Sequence, residues 1–237
     1  MTSPPPLEPT TSTKLDANLH SWLSFTPQSS RLAAKLSSLS ASASLESAQV
    51  KAYSDSVYYN LHSLGISLVF HPIPPYRPRT GTPPSQLDLS QLTLASIDLY
   101  NHTANLTPPP DPSKPLRGPS NLQPTYAPFP AFPVPVAFLP ANRHAAEPAA
   151  SATARVPDTF LLSPATKGKD LVAALGEPDR KGGGEGSLGI WVEWIEVGLM
   201  VEFASGGLQA WEKGGEAVWK CASFFERGVQ VGKAEGE

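Results

Sequence analysis

KDLVAALGEPDRKGGGEGSLGIWVEWIEVGLMVEF, Lys169 to Phe203, carries the strongest folding signals in the chain. Leu171, Val172 and Leu175 fall on one face of a helical turn or two. Thr166 is placed to cap the start of that helix, and Gly176 its end. Pro178, with no N–H to donate, forbids continuation. Lys181 to Gly189 holds five glycines and reads as a loop. Beyond it the period becomes two. Leu188, Ile190, Val192 and Trp194 share one strand face, and Trp191, Glu193 and Ile195 the other. Gly198 marks a tight connection to a second strand, in which Leu199, Val201 and Phe203 oppose Met200 and Glu202. Ser-Gly-Gly at 205–207 is a further turn before Leu208 to Trp211. Links this short imply an antiparallel meander. Four of the five tryptophans lie between 191 and 219, and each can bury about 200 Å², so the core is expected here.

Working outward, Ala217 to Phe225 admits two readings: a helix, with Val218, Cys221 and Phe225 aligned and Glu216 paired with Lys220, or one more strand, with Trp219, Cys221, Ser223 and Phe225 alternating, which the aromatic and β-branched residues and the preceding meander favour. Toward the N-terminus, Gln28 to Leu39 reads as a helix with a stripe of Leu32, Ala33, Leu36 and Leu39 and a cap at Ser29 or Ser30. The Ser/Ala run to Ser47 carries little pattern. In VYYNLHSLGISLVF (57–70), Leu64, Ile66, Leu68 and Phe70 alternate with Gly65, Ser67 and Val69, the pattern of a central strand ended by Pro72. Leu87 to Tyr100 is the next strand. Its Leu92 and Leu94 are out of phase with Ile97 and Leu99, which a β-bulge near Ser96 would reconcile. Val134, Val136 and Phe138 suit an edge strand, where Pro133 and Pro135 are tolerable, and Pro157 to Ser163 suits a short strand before the helix at 169–175. The pieces LGISLVF…IDLYN and VGLMVEF…LQAWE both place a glycine before an apolar strand followed by a more polar one, a possible half-repeat.

These elements define an α+β fold: a largely antiparallel sheet of six to eight strands, one or two short helices on one face, and Pro-rich loop insertions. Residues 1–14 read as a disordered segment, 15–226 as a single domain, and 227–237 as a polar tail. Eighteen of the 27 prolines lie between 71 and 140, placing the insertions near 71–86, 102–128 and 139–156.

The totals exclude several classes. A net charge of −3 and a pI near 6.0 give no electrostatic reason to expect nucleic acid. A lone cysteine excludes an internal disulfide and a cysteine-based zinc site. No apolar run reaches membrane-spanning length, and MTSPPPLEPTTST is no secretory leader. A cytoplasmic protein follows as the expectation, and the sequons at Asn101 and Asn105 read as coincidence. No cofactor is implied. His62 and His71 lack a third ligand, so no metal is expected.

Candidate sites are few. Arg180 and Lys181 open the glycine-rich loop, where backbone N–H groups and two cations could hold a phosphate. The loop lacks the Gly-Lys-Ser/Thr ending of a P-loop. Lys167 and Lys169 could join them in a lipid-headgroup patch. Glu193 and Glu202 fit a polar outer sheet face better than a carboxylate pair. Asp98, Asn101 and His102 read as a strand-closing turn. Trp191, Trp194 and Trp211 could line a groove for a partner peptide.

One resemblance adds a direction. Tyr58, Tyr59, Asn60, Leu64, Gly65, Ile66, Leu68 and Phe70 form an aromatic-aromatic-Asn, Leu-Gly, apolar-strand motif. IDLYN (97–101), FPVPV (132–136), LVAALGEP (171–178) and GLMVEF (198–203) follow in order. Over about residues 55–225 the chain resembles the phagosome assembly factor family, whose longer N-terminal portion has no counterpart here; in GLMVEF the family's Phe-Glu order is reversed. The resemblance implies a non-enzymatic adaptor in membrane trafficking or autophagy, peripheral on endomembranes, with a protein partner of propeller type and a phosphoinositide surface. Read from residues alone, the alternatives are a small enzyme or binding protein that uses the 180–189 loop for a phosphorylated ligand, and a peptide-binding scaffold.

Overall fold

The structure, a computed structural model, describes residues 18–103, 125–138, 158–183, 189–203 and 214–229. Among the described residues ten strands and two α-helices run in the order α1 (Ser30–Leu39), β1 (Gln49–Ala52), β2 (Val57–Leu61), β3 (Ile66–Pro72), β4 (Leu92–Tyr100), β5 (Val134–Phe138), β6 (Asp158–Leu162), α2 (Gly168–Leu175), β7 (Arg180–Gly183), β8 (Ile190–Trp194), β9 (Leu199–Phe203) and β10 (Trp219–Phe225). Eight strands form one antiparallel sheet, ordered β1-β2-β3-β4-β10-β9-β8-β7, and β5 and β6 pair separately as a hairpin. The α+β class read from the sequence is what is observed. The expected third segment, Leu208–Trp211, and the expected disordered segment 1–14 lie outside the described residues, as does 139–156.

The alternation expected in each strand buries one sheet face. Tyr59, Leu68, Ile97, Phe224, Leu199 and Trp194 stand in register across six strands of it. Leu32, Leu36 and Leu39 of α1 and Leu171 and Leu175 of α2 join them in one core. At about 1.5–3 kcal/mol for each buried leucine, the α1 stripe alone contributes roughly 5–9 kcal/mol before the entropy of ordering it. The phase conflict in β4 is resolved by a bulge at Ala95. Ser96 pairs with Val69 and Leu94 with Phe70, so Leu92 and Leu94 point inward along with Ile97 and Leu99. The α2 N-cap is Lys167 rather than Thr166. The Thr166 hydroxyl instead accepts from the Ser163 amide, and the Asp170 carboxylate accepts from the Lys167 amide.

The half-repeat is far more extensive than its sequence trace. Each half is a helix followed by a four-stranded meander, β1–β4 after α1 and β7–β10 after α2, and the last strand of each meander pairs with the other. The turns 62–65 and 195–198 each close on a left-handed glycine, Gly65 and Gly198, both at φ +70°. The Tyr100 amide donates to the Gly65 carbonyl, and the Phe225 amide to the Gly198 carbonyl. Lys220 is skipped between β9 and β10 as Ala95 is between β3 and β4. Counting along these registers makes Asp98 and Ser223 equivalent, and they are also cross-strand partners. A pseudo-two-fold axis therefore passes through that pair. The second member of the repeat is β10, not the LQAWE stretch suggested by the sequence.

Candidate functional site

The register sets one line of residues straight across all eight strands on the face away from the helices: Gln49, Asn60, Ser67, Asp98, Ser223, Met200, Glu193 and Arg180. Only Met200 interrupts its polarity. Polar groups at sheet centre must find partners, and these do so along the row. The Ser67 hydroxyl donates to Asn60 Oδ1 at 2.6 Å and the Ser223 hydroxyl to Asp98 Oδ1 at 2.6 Å. Arg180 meets the Glu193 carboxylate at 3.1 Å. Beside the row, Lys220 at the bulge meets Glu202 at 2.8 Å. Burial raises the Asp98 carboxyl above its ordinary range; the Ser223 hydrogen bond opposes this and Glu202 adds to it. The Cys221 thiol is pushed well up, mainly by burial, so it is held as a neutral thiol.

A strap crosses the end of this face. Tyr126 stacks on Tyr100 with ring centroids 3.7 Å apart. Its hydroxyl lies 2.7 Å from Ser67 Oγ and donates to Asn60 Oδ1 at 3.1 Å. The Ala127 amide donates to the His62 carbonyl, and Phe129 is buried in the core. A β-carbon on Gly65 would stand 2.2 Å from the Ala127 carbonyl oxygen. The Asn60 and Leu64-Gly65 positions of the sequence motif thus act together: Asn60 receives the strap's hydroxyl and Gly65 makes room for its backbone. Nothing in the local sequence points from Asn60 to Tyr126, 66 positions away.

The structure moves several candidate residues. Arg180 and Lys181 are not in a flexible loop; they belong to the edge strand β7, paired to Glu193 and Val192. Their side chains consequently diverge, Arg180 to the polar face and Lys181 to the helix side. The glycines concealed this strand, because they carry no side chains to alternate. Glu193 is not on an outer solvated face: it is 1% exposed. Lys167 and Lys169 both bind the exposed Glu216, at 2.9 and 2.5 Å. That clamp holds the Glu216 carboxyl down to about 2, first through Lys169 and then through Lys167. Lys169 and Lys181 do share a cleft of about 320 Å³ between α2 and β8–β9.

Nor do the tryptophans line one groove. Trp194 is buried on the helix side and donates its indole N–H to the Gly176 carbonyl at 3.0 Å. Trp191 faces the opposite way, flat against Gly182, where a β-carbon would fall 2.6 Å from its ring, with Arg180 5.7 Å above it. Trp211 lies outside the described residues. Asn101 closes a turn as expected: its Oδ1 accepts from the Thr103 amide and hydroxyl, and its amide donates to the Pro164 and Trp219 carbonyls. Fully buried, it is no glycan acceptor in this fold. Sequence reasoning grouped Asp98 with Asn101 and His102 and missed Ser223. The available signal was parity, since Asp98 and Ser223 are polar positions on the non-core phase of their strands.

No family model, curated protein or solved structure matches the chain. Among the described residues no helix is long and apolar enough to cross a membrane, and no cluster of three or more His, Cys, Asp and Glu could hold a metal ion.

Proposed function

We propose that this protein is a non-enzymatic adaptor whose docking surface is the polar face of the sheet. One observation carries the reading: the polar groups of the row are paired within it or, at Gln49 and Asn60, with His62 and Tyr126, while Tyr58, Tyr100 and Trp191 beside it and Met200 and Arg180 within it remain partly exposed. Tyrosine, tryptophan, methionine and arginine are the side chains enriched at protein interfaces. A face pre-organised by side-chain hydrogen bonds loses little entropy on docking. Tyr58 and Trp191 stand at equivalent positions of the two halves, so a partner meets two aromatic anchors related by the pseudo-two-fold axis. The resemblance to the phagosome assembly factor family supplies the setting: membrane trafficking or autophagy, a propeller-type protein partner and a phosphoinositide-bearing membrane surface.

The test is affinity purification of the tagged chain from its own cells, alongside Tyr58→Ala and Trp191→Ala variants, with vesicles bearing or lacking phosphoinositide as a second arm. The adaptor reading expects a partner that wild type recovers and the folded variants lose. Equal recovery by all three proteins refutes the assignment of the face. Absence of any partner and of vesicle binding refutes the adaptor.

A further inference from the structure

The pseudo-two-fold axis relates two helix–sheet clefts, and their difference points to a ligand. One cleft lies under α1 and is lined by Ala33, Leu36, Leu45 and Tyr59 among others. The other lies under α2, walled by Val172, Ile190, Val192 and Phe203, with Pro178 and Glu177 also on its lining. Tyr59 and Val192 occupy equivalent strand positions. Aligning the helices on their buried leucines, Leu32 and Leu36 on Leu171 and Leu175, sets Ala33 on Val172. The same alignment sets Ser30 on Lys169, and the strand register sets Val50 on Lys181. The α2 cleft is therefore lined by two lysines at these positions, whereas the equivalent Ser30 and Val50 are not on the lining of the α1 cleft, which holds no lysine. Lys169 is engaged by Glu216, whereas Lys181 makes no ion pair among the described residues.

Close packing gives this cleft a defined shape. A β-carbon on Gly168 would stand 2.4 Å from the Gly214 carbonyl oxygen, and one on Gly214 would stand 2.6 Å from Ile190 Cδ1. Its volume of about 320 Å³ is at the small end of ligand sites. At about 30 Å³ for each water-sized group, that volume holds roughly ten methylene-sized units. With Lys169 held by Glu216 and Glu177 also on the lining, Lys181 is the lining cation outside any ion pair among the described residues, and that cation beside the apolar wall complements a short chain ending in an anion.

We propose that the α2 cleft binds a medium-chain carboxylate of about eight to twelve carbons, its chain against Val172, Ile190, Val192 and Phe203 and its head at Lys181. This is independent of the adaptor face, which lies on the other side of the sheet. The experiment titrates the whole chain with decanoate, decanol and decyl phosphate, read by amide shifts and by calorimetry. Decanoate is expected to shift Gly168, Val172, Lys181 and Val192 well before Ala33 and Tyr59. Decanol should bind at least tenfold more weakly, and Lys181→Gln should weaken decanoate by about tenfold, the loss of one charge-assisted contact. Val172→Trp, which fills the cleft, should remove binding. Equal binding of decanoate and decanol, an unaffected Lys181→Gln, or no shifts at millimolar decanoate each overturns the proposal. Tighter binding of decyl phosphate than of decanoate overturns the carboxylate head.

Discussion

Replacing Gly65 by alanine tests whether the Tyr126 strap is a unit of the fold. Gly65 sits at φ +70° and ψ 23°, a left-handed conformation that costs an alanine about 1–2 kcal/mol. The added methyl would also lie 2.2 Å from the Ala127 carbonyl oxygen and 3.2 Å from the Phe129 nitrogen. Both are backbone atoms, so no rotamer change relieves the clash and the strap must withdraw. With it go the Tyr126 hydroxyl bonds to Ser67 and Asn60, the 2.8 Å bond from the Ala127 amide to the His62 carbonyl, and the Tyr100 stack. At about 1 kcal/mol net per hydrogen bond and about 0.5–1.5 kcal/mol for the aromatic pair, Gly65→Ala should cost about 4.5–6.5 kcal/mol with the backbone strain included. Tyr126→Phe alone, which keeps the ring, should cost about 1–2 kcal/mol. The decisive measurement is a double-mutant cycle by equilibrium urea unfolding. Once Gly65→Ala has released the strap, Tyr126→Phe should add less than about 0.5 kcal/mol. Full additivity, or a Gly65→Ala cost below about 1 kcal/mol, would refute the latch.

Other perturbations follow from the same geometry. Trp194→Ala should destabilise by about 3–5 kcal/mol because it empties a core site, whereas Trp191→Ala should stay within about 1–2 kcal/mol, since its ring is partly exposed on the face away from the core; urea midpoints separate the two. Burial raises the folded-state Asp98 carboxyl. Its contribution is therefore whole below the unfolded value and declines as pH rises through the raised folded one. Asp98→Asn should then raise the melting temperature by about 2–4 °C at pH 7, corresponding to about 1 kcal/mol, and the gain should vanish at the acid end; a lower melting temperature at pH 7 would contradict this. Burial lowers His20, opposed by its bond to the Gly198 carbonyl. With the folded value below the ordinary 6.5, the unfolded chain binds the extra proton, so stability should fall as pH drops from about 6.5 through the folded value. His20→Gln should flatten that slope in a pH series of melting curves.

Side-chain alternation made most of the sheet legible. Ile66 to Phe70, Ile190 to Trp194 and Leu199 to Phe203 each announce both their strand and their buried face, and the phase break between Leu94 and Ile97 is the bulge itself. Where side chains are small or the segment short, the signal fails. Gln49–Ala52 is four residues at the end of a Ser/Ala run, and Arg180–Gly183 is half glycine; only pairing with β2 and β8 makes them strands. VYYNL (57–61) was legible as apolar, but the turn at His62–Gly65 that separates it from β3 was not. The candidate site was least legible of all. Its partners, Asn60 with Tyr126 and Asp98 with Ser223, come from distant stretches and meet only through register. Parity already separates Trp191 from Trp194 in the sequence, which rules out a groove shared by the two; what it leaves open is which face is the core, and the structure gives that to Trp194.

The seam on the pseudo-two-fold axis has a consequence for how the chain assembles. Within each half the strands are joined in order along the chain, but Asp98 and Ser223 are 125 residues apart. Closing so long a span is entropically slow compared with forming the hairpins on either side. Each half-sheet can therefore form while β4 and β10 are still bare edges, and bare edges recruit strands without regard to which molecule supplies them. During that interval β10 of a neighbouring chain competes with the chain's own β10, so crowded refolding should yield exchanged dimers that share one seam in each direction.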